Sequence, residues 1–106
     1  MTIVTVFRSR LRPGVDEAYG KVADEMSGVV QAMDGFIDQK FYVSTDNERV
    51  TIVRFRDIES QRAWAELPEH VAAQRRGRDE FYSWYDISVS EETSQRSFVA
   101  PELPRT

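Results

Sequence analysis

Apolar positions recur along the chain with two different periods, and each change of period marks a new element. Ile3, Thr5 and Phe7 alternate with Val4, Val6 and Arg8, a β-branched pattern that reads as a strand stopped by Arg12-Pro13-Gly14. From Asp16 to Met33 the apolar positions fall three and four apart, at Tyr19, Val22, Ala23, Met26, Val29, Val30 and Met33. That spacing makes one stripe along a helix, with Asp16 and Glu17 in the first turn, where the helix dipole favours negative charge. Asp34-Gly35 ends it. Alternation resumes over Phe36–Ser44, breaks at Thr45-Asp46-Asn47-Glu48 and returns over Arg49–Arg56, which predicts a hairpin. In the second arm Val50, Ile52, Arg54 and Arg56 share one face and Thr51, Val53 and Phe55 the other. Asp38, Lys40 and Tyr42 share a face of the first arm.

Asp57–Leu67 reads as a short helix anchored by Ile58, Trp64 and Leu67. Pro68 followed by Glu69 suits a helix N-terminus, so His70–Arg76 is a second helical piece that Gly77 relaxes or ends. Phe81–Glu91 is the last strand. Strict alternation puts Phe81, Ser83, Tyr85, Ile87 and Val89 on one face and Tyr82, Trp84, Asp86 and Ser88 on the other. Residues 93–106 have two prolines and little periodicity, and are expected to be an extended tail lying on a partner subunit. Residues 1–92 then form one α+β domain of order β-α-β-β-α-β, the ferredoxin-like split pattern, an antiparallel sheet with helices on one face. The first three strands are partly apolar on both faces, so the bare face is expected to pack on a second copy in a homodimer.

Composition narrows the chemistry. The chain has 106 residues, room for one domain, and a formal net charge of -4, which gives no basic footprint for nucleic acid or an anionic membrane. It has no cysteine, so disulfides, thiolate metal sites and thiol nucleophiles are excluded. The N-terminal apolar run is too short for a signal peptide, and no segment approaches the roughly 20 apolar residues of a membrane span. A cytoplasmic protein is the expectation. No glycine-rich phosphate loop or cluster of histidines accompanies the single His70.

The layout resembles the antibiotic biosynthesis monooxygenase-like family of dimeric α+β barrel proteins. The features that carry the resemblance are Arg12-Pro13-Gly14 before the first helix, Met33-Asp34-Gly35-Phe36 entering the second strand, and Arg56-Asp57 then Trp64 after the third. Pro68-Glu69-His70, Gln74, Gly77-Arg78 and Phe81-Tyr82-Tyr85 complete them, so that the resemblance covers about residues 1 to 91. It implies a homodimer whose two sheets pack face to face as a barrel, with a cavity between each sheet and its helices. It also implies oxidation of a phenol or anthrone without a cofactor, the substrate losing a proton and passing an electron to oxygen.

His70 is the candidate base, since an imidazole with a pKa near 6.5 suits proton transfer. Alternatively it packs locally in the first turn after Pro68, where the helix start disfavours its protonated form. Tyr42 and Arg54 join it as candidate catalytic residues if they reach a cavity wall, while an Arg54–Asp38 ion pair at the sheet edge is the structural alternative. Trp64, Tyr82 and Trp84 are candidate substrate-binding aromatics, with core or interface packing as the alternative. Arg78, the arginine of its cluster that most resembles the family position, is a candidate for binding an anionic group of the ligand, against which stand a brace at the start of the last strand and a solvated helix end. The function that the resemblance implies, with His70 and the aromatic set beside it, is a cofactor-independent monooxygenase acting on a small aromatic or polyketide-like molecule. Two alternatives stand beside it: a haem-binding or haem-degrading protein with His70 as ligand and Arg78 on a propionate, and a non-catalytic dimeric binding protein.

Overall fold

The computed structural model describes residues Met1–Thr106. Strand β1 (Ile3–Leu11) leads into helix α1 (Asp16–Gln31), followed by the hairpin β2 (Phe36–Val43) and β3 (Arg49–Phe55). Two short helices, α2 (Ile58–Ala65) and α3 (Pro68–Arg76), and a π-helical turn at Gly77–Phe81 lead to β4 (Tyr82–Glu91). The element order is therefore the split β-α-β-β-α-β expected from the periodicities. Residues 93–106 carry no helix or strand.

All four strands pair antiparallel in the order β2-β3-β1-β4. The sheet is open. Strands β2 and β4 are its two edges, held apart by β3 and β1, and do not pair with each other. The expected dimeric α+β barrel is thereby overturned, because closure requires the edge strands to meet and barrels are typically built from about eight strands.

The side of the sheet that carries Ile3, Thr5, Phe7, Val53 and Phe55 faces the helices. Val30 of α1, Trp64 of α2, and Val53 and Phe55 of β3 form the buried cluster, with Met26, Val29, Met33, Phe36 and Leu67 packed against it. These helix residues are the stripe expected at spacings of three and four. Helix α1 ends before Met33 because the Ala32 and Met33 N–H groups bond back to Val29 and Val30, three residues earlier, tightening the last turn. Gly35 then turns the chain at φ 83°, where a side chain would be strained and a Cβ would overlap Ser60 Oγ. Asp57 caps α2 by accepting from the Ser60 N–H at 2.8 Å.

The junction between α3 and β4 departs from simple alternation. Gly77 has helical dihedrals and continues α3 into the π turn rather than ending it. At the far end β1 and β4 slip register: Arg10 pairs with Trp84, and the next residue, Leu11, pairs with Tyr82. The bulge passes over Ser83 and turns Tyr82 to the same side as Tyr85. Strict alternation had placed those two tyrosines on opposite faces. Arg12 fastens the joint. Its guanidinium donates to the carbonyls of Tyr82 at 2.9 Å, Asp79 at 2.8 Å and Arg78 at 2.8 Å, and its backbone N–H donates to Phe81 O at 2.8 Å. The planar fork thus satisfies carbonyls that the end of a helix leaves without partners. Replacing Arg12 with alanine is expected to destabilise the fold by about 1–3 kcal/mol, with lysine recovering only part of the loss. Urea denaturation checks this. A loss below about 0.5 kcal/mol, ordinary for a surface substitution, contradicts the role given to the fork.

Candidate functional site

Between the helix-facing side of the sheet and α1, α2 and α3 lies a cavity of about 260 Å³. Small-molecule sites usually span roughly 300–1,000 Å³, so this space suits a compact ligand. Thr5, Phe7, Thr51 and Val53 form its floor, Tyr19, Val22, Ala23 and Met26 one wall, and Trp64, His70, Ala73 and Gln74 the other. Phe81, Tyr82, Tyr85 and Ile87 close the end where β4 begins. The lining is mostly apolar, with a few polar atoms at defined places.

His70 is half-buried, and its ring stacks on Trp64 at 3.8 Å with 14° between the planes. Its Nδ1 lies 3.0 Å from the Trp64 carbonyl and 3.1 Å from the Gln74 side-chain amide. The carbonyl only accepts, whereas the amide can present either its oxygen or its nitrogen to the ring, so the carbonyl decides the tautomer and Nδ1 carries the proton. Nε2 is left as an unprotonated nitrogen that no protein group engages. Burial pushes the imidazole pKa below 6.5, opposed only by the Trp64 carbonyl, so the ring is held as the neutral base.

Tyr82 has the opposite character. Burial first, and the adjoining Tyr19 phenol second, push its pKa well above the usual tyrosine value, with Arg49 pulling the other way. Tyr82 therefore keeps its proton at neutral pH. Its ring sits edge-on to Phe7 at 5.4 Å, to Tyr85 at 5.6 Å and to Tyr19 at 5.7 Å. Gly77 packs under it, and a Cβ there would come within 2.5 Å of Tyr82 Cε2. Thr5 Oγ1 is buried without a hydrogen-bond partner, an unused polar atom on a residue of the cavity floor.

Of the residues singled out in the sequence, His70, Trp64 and Tyr82 line this cavity. Tyr42, Arg54, Trp84 and Arg78 do not. Register with Val50, and of Asp38 with Arg54, puts Tyr42 and Arg54 on the open face of the sheet. There Arg54 donates to Asp38 at 2.8 and 2.6 Å and approaches Glu92 at 3.6 Å. The Asp38 hydrogen bond raises the Arg54 pKa, and the same bond holds Asp38 below the usual carboxylate range. Trp84 also lies on the open face, with the Arg8 guanidinium over its ring at 5.8 Å. Arg78 is exposed on the π turn, where its carbonyl serves Arg12. A haem held by His70 with Arg78 on a propionate does not fit these residues, because the two do not share a space. No three His, Asp or Glu side chains gather to hold a metal ion, and no helix is long and apolar enough to cross a membrane.

Sequence reasoning passed over Tyr19 as a stripe residue, Thr5 as a strand residue and Arg12 as a stop signal. Tyr19 carried a signal, since a tyrosine in an apolar helix stripe brings a hydroxyl into the core. Arg12 carried none, because its carbonyl partners lie at least 66 residues away.

The comparisons with known proteins agree with this architecture. The chain is 26% identical over 93 residues to the uncharacterised protein YqjZ of Bacillus subtilis, covering 88% of this chain and 82% of that one. Rv0793 of Mycobacterium tuberculosis superposes with a TM-score of 0.81 at 19% identity, over 92% of this chain and all of the other. SnoaB of Streptomyces nogalater, a cofactor-independent oxygenase, superposes with a TM-score of 0.74 at 17% identity, over 95% of this chain and 98% of that one. At those identities the two structural likenesses establish the fold alone. The sequence profile of the antibiotic biosynthesis monooxygenase family matches residues 2–76, well over half of the chain, and so the chain belongs to that family.

Proposed function

We propose that the cavity oxidises a small aromatic or polyketide-like molecule with O2 and without a cofactor. The observation that carries this reading is His70. Its Nδ1 proton is committed to the Trp64 carbonyl, and its Nε2 is a free base on a residue lining a mostly apolar, aromatic-walled cavity. The fold shared with a cofactor-independent oxygenase supports the same reading.

The chemistry asked of the protein is modest. A base removes a proton from an electron-rich phenol or anthrone, and the resulting carbanion reduces O2. The new C–O bond takes the proton back as a hydroperoxide, which loses water to leave a carbonyl. In sum a CH2 group and O2 become C=O and H2O. His70 Nε2 accepts the first proton and returns it. Tyr82, kept protonated by its surroundings, donates to the oxygen on which negative charge gathers. Thr5 Oγ1 offers a further hydrogen bond. The aromatic walls exclude water from the carbanion.

Oxygen consumption with a dihydroxyanthrone tests the assignment. The wild type is expected to accelerate uptake above the spontaneous rate, and the His70→Ala and Tyr82→Phe variants each to lose about 100-fold. Uptake that is unchanged in His70→Ala removes His70 as the base.

The pH dependence has a fixed sign. The folded pKa of His70 lies below 6.5, so the rate is expected to be flat at neutrality and to fall on acidification with an apparent pKa below 6.5. The folded state binds fewer protons than the unfolded chain in that window. Stability should therefore also fall as pH drops below the unfolded value, and the His70→Phe variant should lose that slope. A rate profile whose acidic limb lies at or above 6.5 contradicts a buried neutral base.

A further inference from the structure

A second depression of about 730 Å³ lies against the cavity, between α1 and the β2–β3 hairpin. Tyr19, Ala23, Ser27, Gln39 and Thr51 line both spaces, so the groove and the cavity adjoin along those side chains. Tyr19 stands at their boundary. On the inner side its ring meets Phe81 and Tyr82, each at 5.7 Å, and on the outer side the Arg49 guanidinium lies over it at 5.4 Å.

Arg49 is unlike Arg8, Arg12 and Arg54. Arg8 and Arg54 each make two hydrogen bonds to one carboxylate, and Arg12 makes three to carbonyls. The Arg49 side chain is only 23% exposed, and its one acidic neighbour is the largely exposed Asp16 at 3.8 Å, beyond hydrogen-bond reach. It is held instead between the rings of Tyr19 and Phe41, at 5.4 and 5.5 Å. Aromatic faces fix a guanidinium in position but leave its N–H donors free in the plane. A half-buried guanidinium whose ion-pair partner is largely exposed and beyond hydrogen-bond reach has donors free for a second anion. The position is built into the strand: Arg49 falls on the helix-facing side with Thr51, Val53 and Phe55, where periodicity otherwise calls for an apolar residue.

We propose that Arg49 is a specificity residue at the mouth of the cavity, selecting aromatic substrates that carry a carboxylate. The ring would lie inside against Tyr82 and His70, and the carboxylate outside on the guanidinium fork, with Tyr19 between them. The inference rests on the reading of the cavity as an aromatic-substrate site and adds which aromatics it takes. The acid group also gives the substrate a fixed direction, leading with its phenolic end toward His70.

Binding tests it separately from turnover. In a Trp84→Phe background Trp64 is the sole tryptophan, and its quenching reports occupancy of the cavity. The probes are 6-hydroxy-2-naphthoate, with its two groups at opposite ends, and 2-naphthol, which lacks the acid. The acid is expected to bind about ten- to hundredfold tighter than the naphthol. Arg49→Gln should abolish that preference with little effect on the naphthol, and Arg49→Lys should keep only part of it. Naphthol binding with no preference for the acid, or an equal loss of both ligands in Arg49→Gln, overturns the role of Arg49 and leaves the cavity reading standing. Binding of neither probe overturns both. Should Arg49→Gln fail to fold by circular dichroism, the wild-type preference decides: it must shrink with added salt, and a salt-independent preference contradicts an ionic origin.

Discussion

The Arg12 guanidinium, spread across the carbonyls of Arg78, Asp79 and Tyr82, holds the joint on which the cavity depends. A π turn offers fewer internal partners for its carbonyls than an α-helix followed by a regular cap, and such turns recur where a side chain must be re-aimed. Here the re-aimed residue is Tyr82. The turn delivers it, the bulge opposite Arg10 and Leu11 rotates it inward, and Gly77 leaves room for its ring. Without this joint, alternation along β4 would put Tyr82 on the open face beside Trp84. The cavity would then lose a buried phenol whose surroundings hold its proton.

The two faces of the sheet divide the labour. The open face carries charge in compensated form, Arg54 with Asp38 and Arg8 with Glu48. Such pairs are worth little to stability when exposed, and they spend their donors on each other. The helix-facing side does the reverse. Its polar atoms are few and incompletely partnered, as with Nε2 of His70 and Oγ1 of Thr5.

Much of the fold was legible because its signals are local. The period-two runs of β1 and β3, the stripe of α1 and Pro68 opening α3 each depend on neighbours a few residues away. The faces of β3 were legible for the same reason, as was the Arg54–Asp38 pair. What was not legible depends on partners distant in sequence. The bulges in β2 and β4 are set by the strands they pair with, so strict alternation sent Tyr82 to the wrong face. Tyr42 and Arg54, which the sequence had grouped with His70 as one catalytic set, are separated from it by which face of the sheet the helices cover, a fact that alternation alone does not carry. The barrel expectation failed at the level of the whole sheet, whose edges stay apart.

The proposed chemistry turns on one nitrogen, Nε2 of His70. Helix α2 ends so that the Trp64 carbonyl points at the imidazole, and the Trp64 ring lies flat against it, so a single residue sets both the tautomer and the orientation of the base. Because the chain has one histidine, long-range ¹⁵N–¹H correlation spectroscopy observes that ring without ambiguity. At neutral pH the expected spectrum shows a protonated Nδ1 and an unprotonated, pyridine-like Nε2. A proton on Nε2, or an imidazolium at neutral pH, would contradict it.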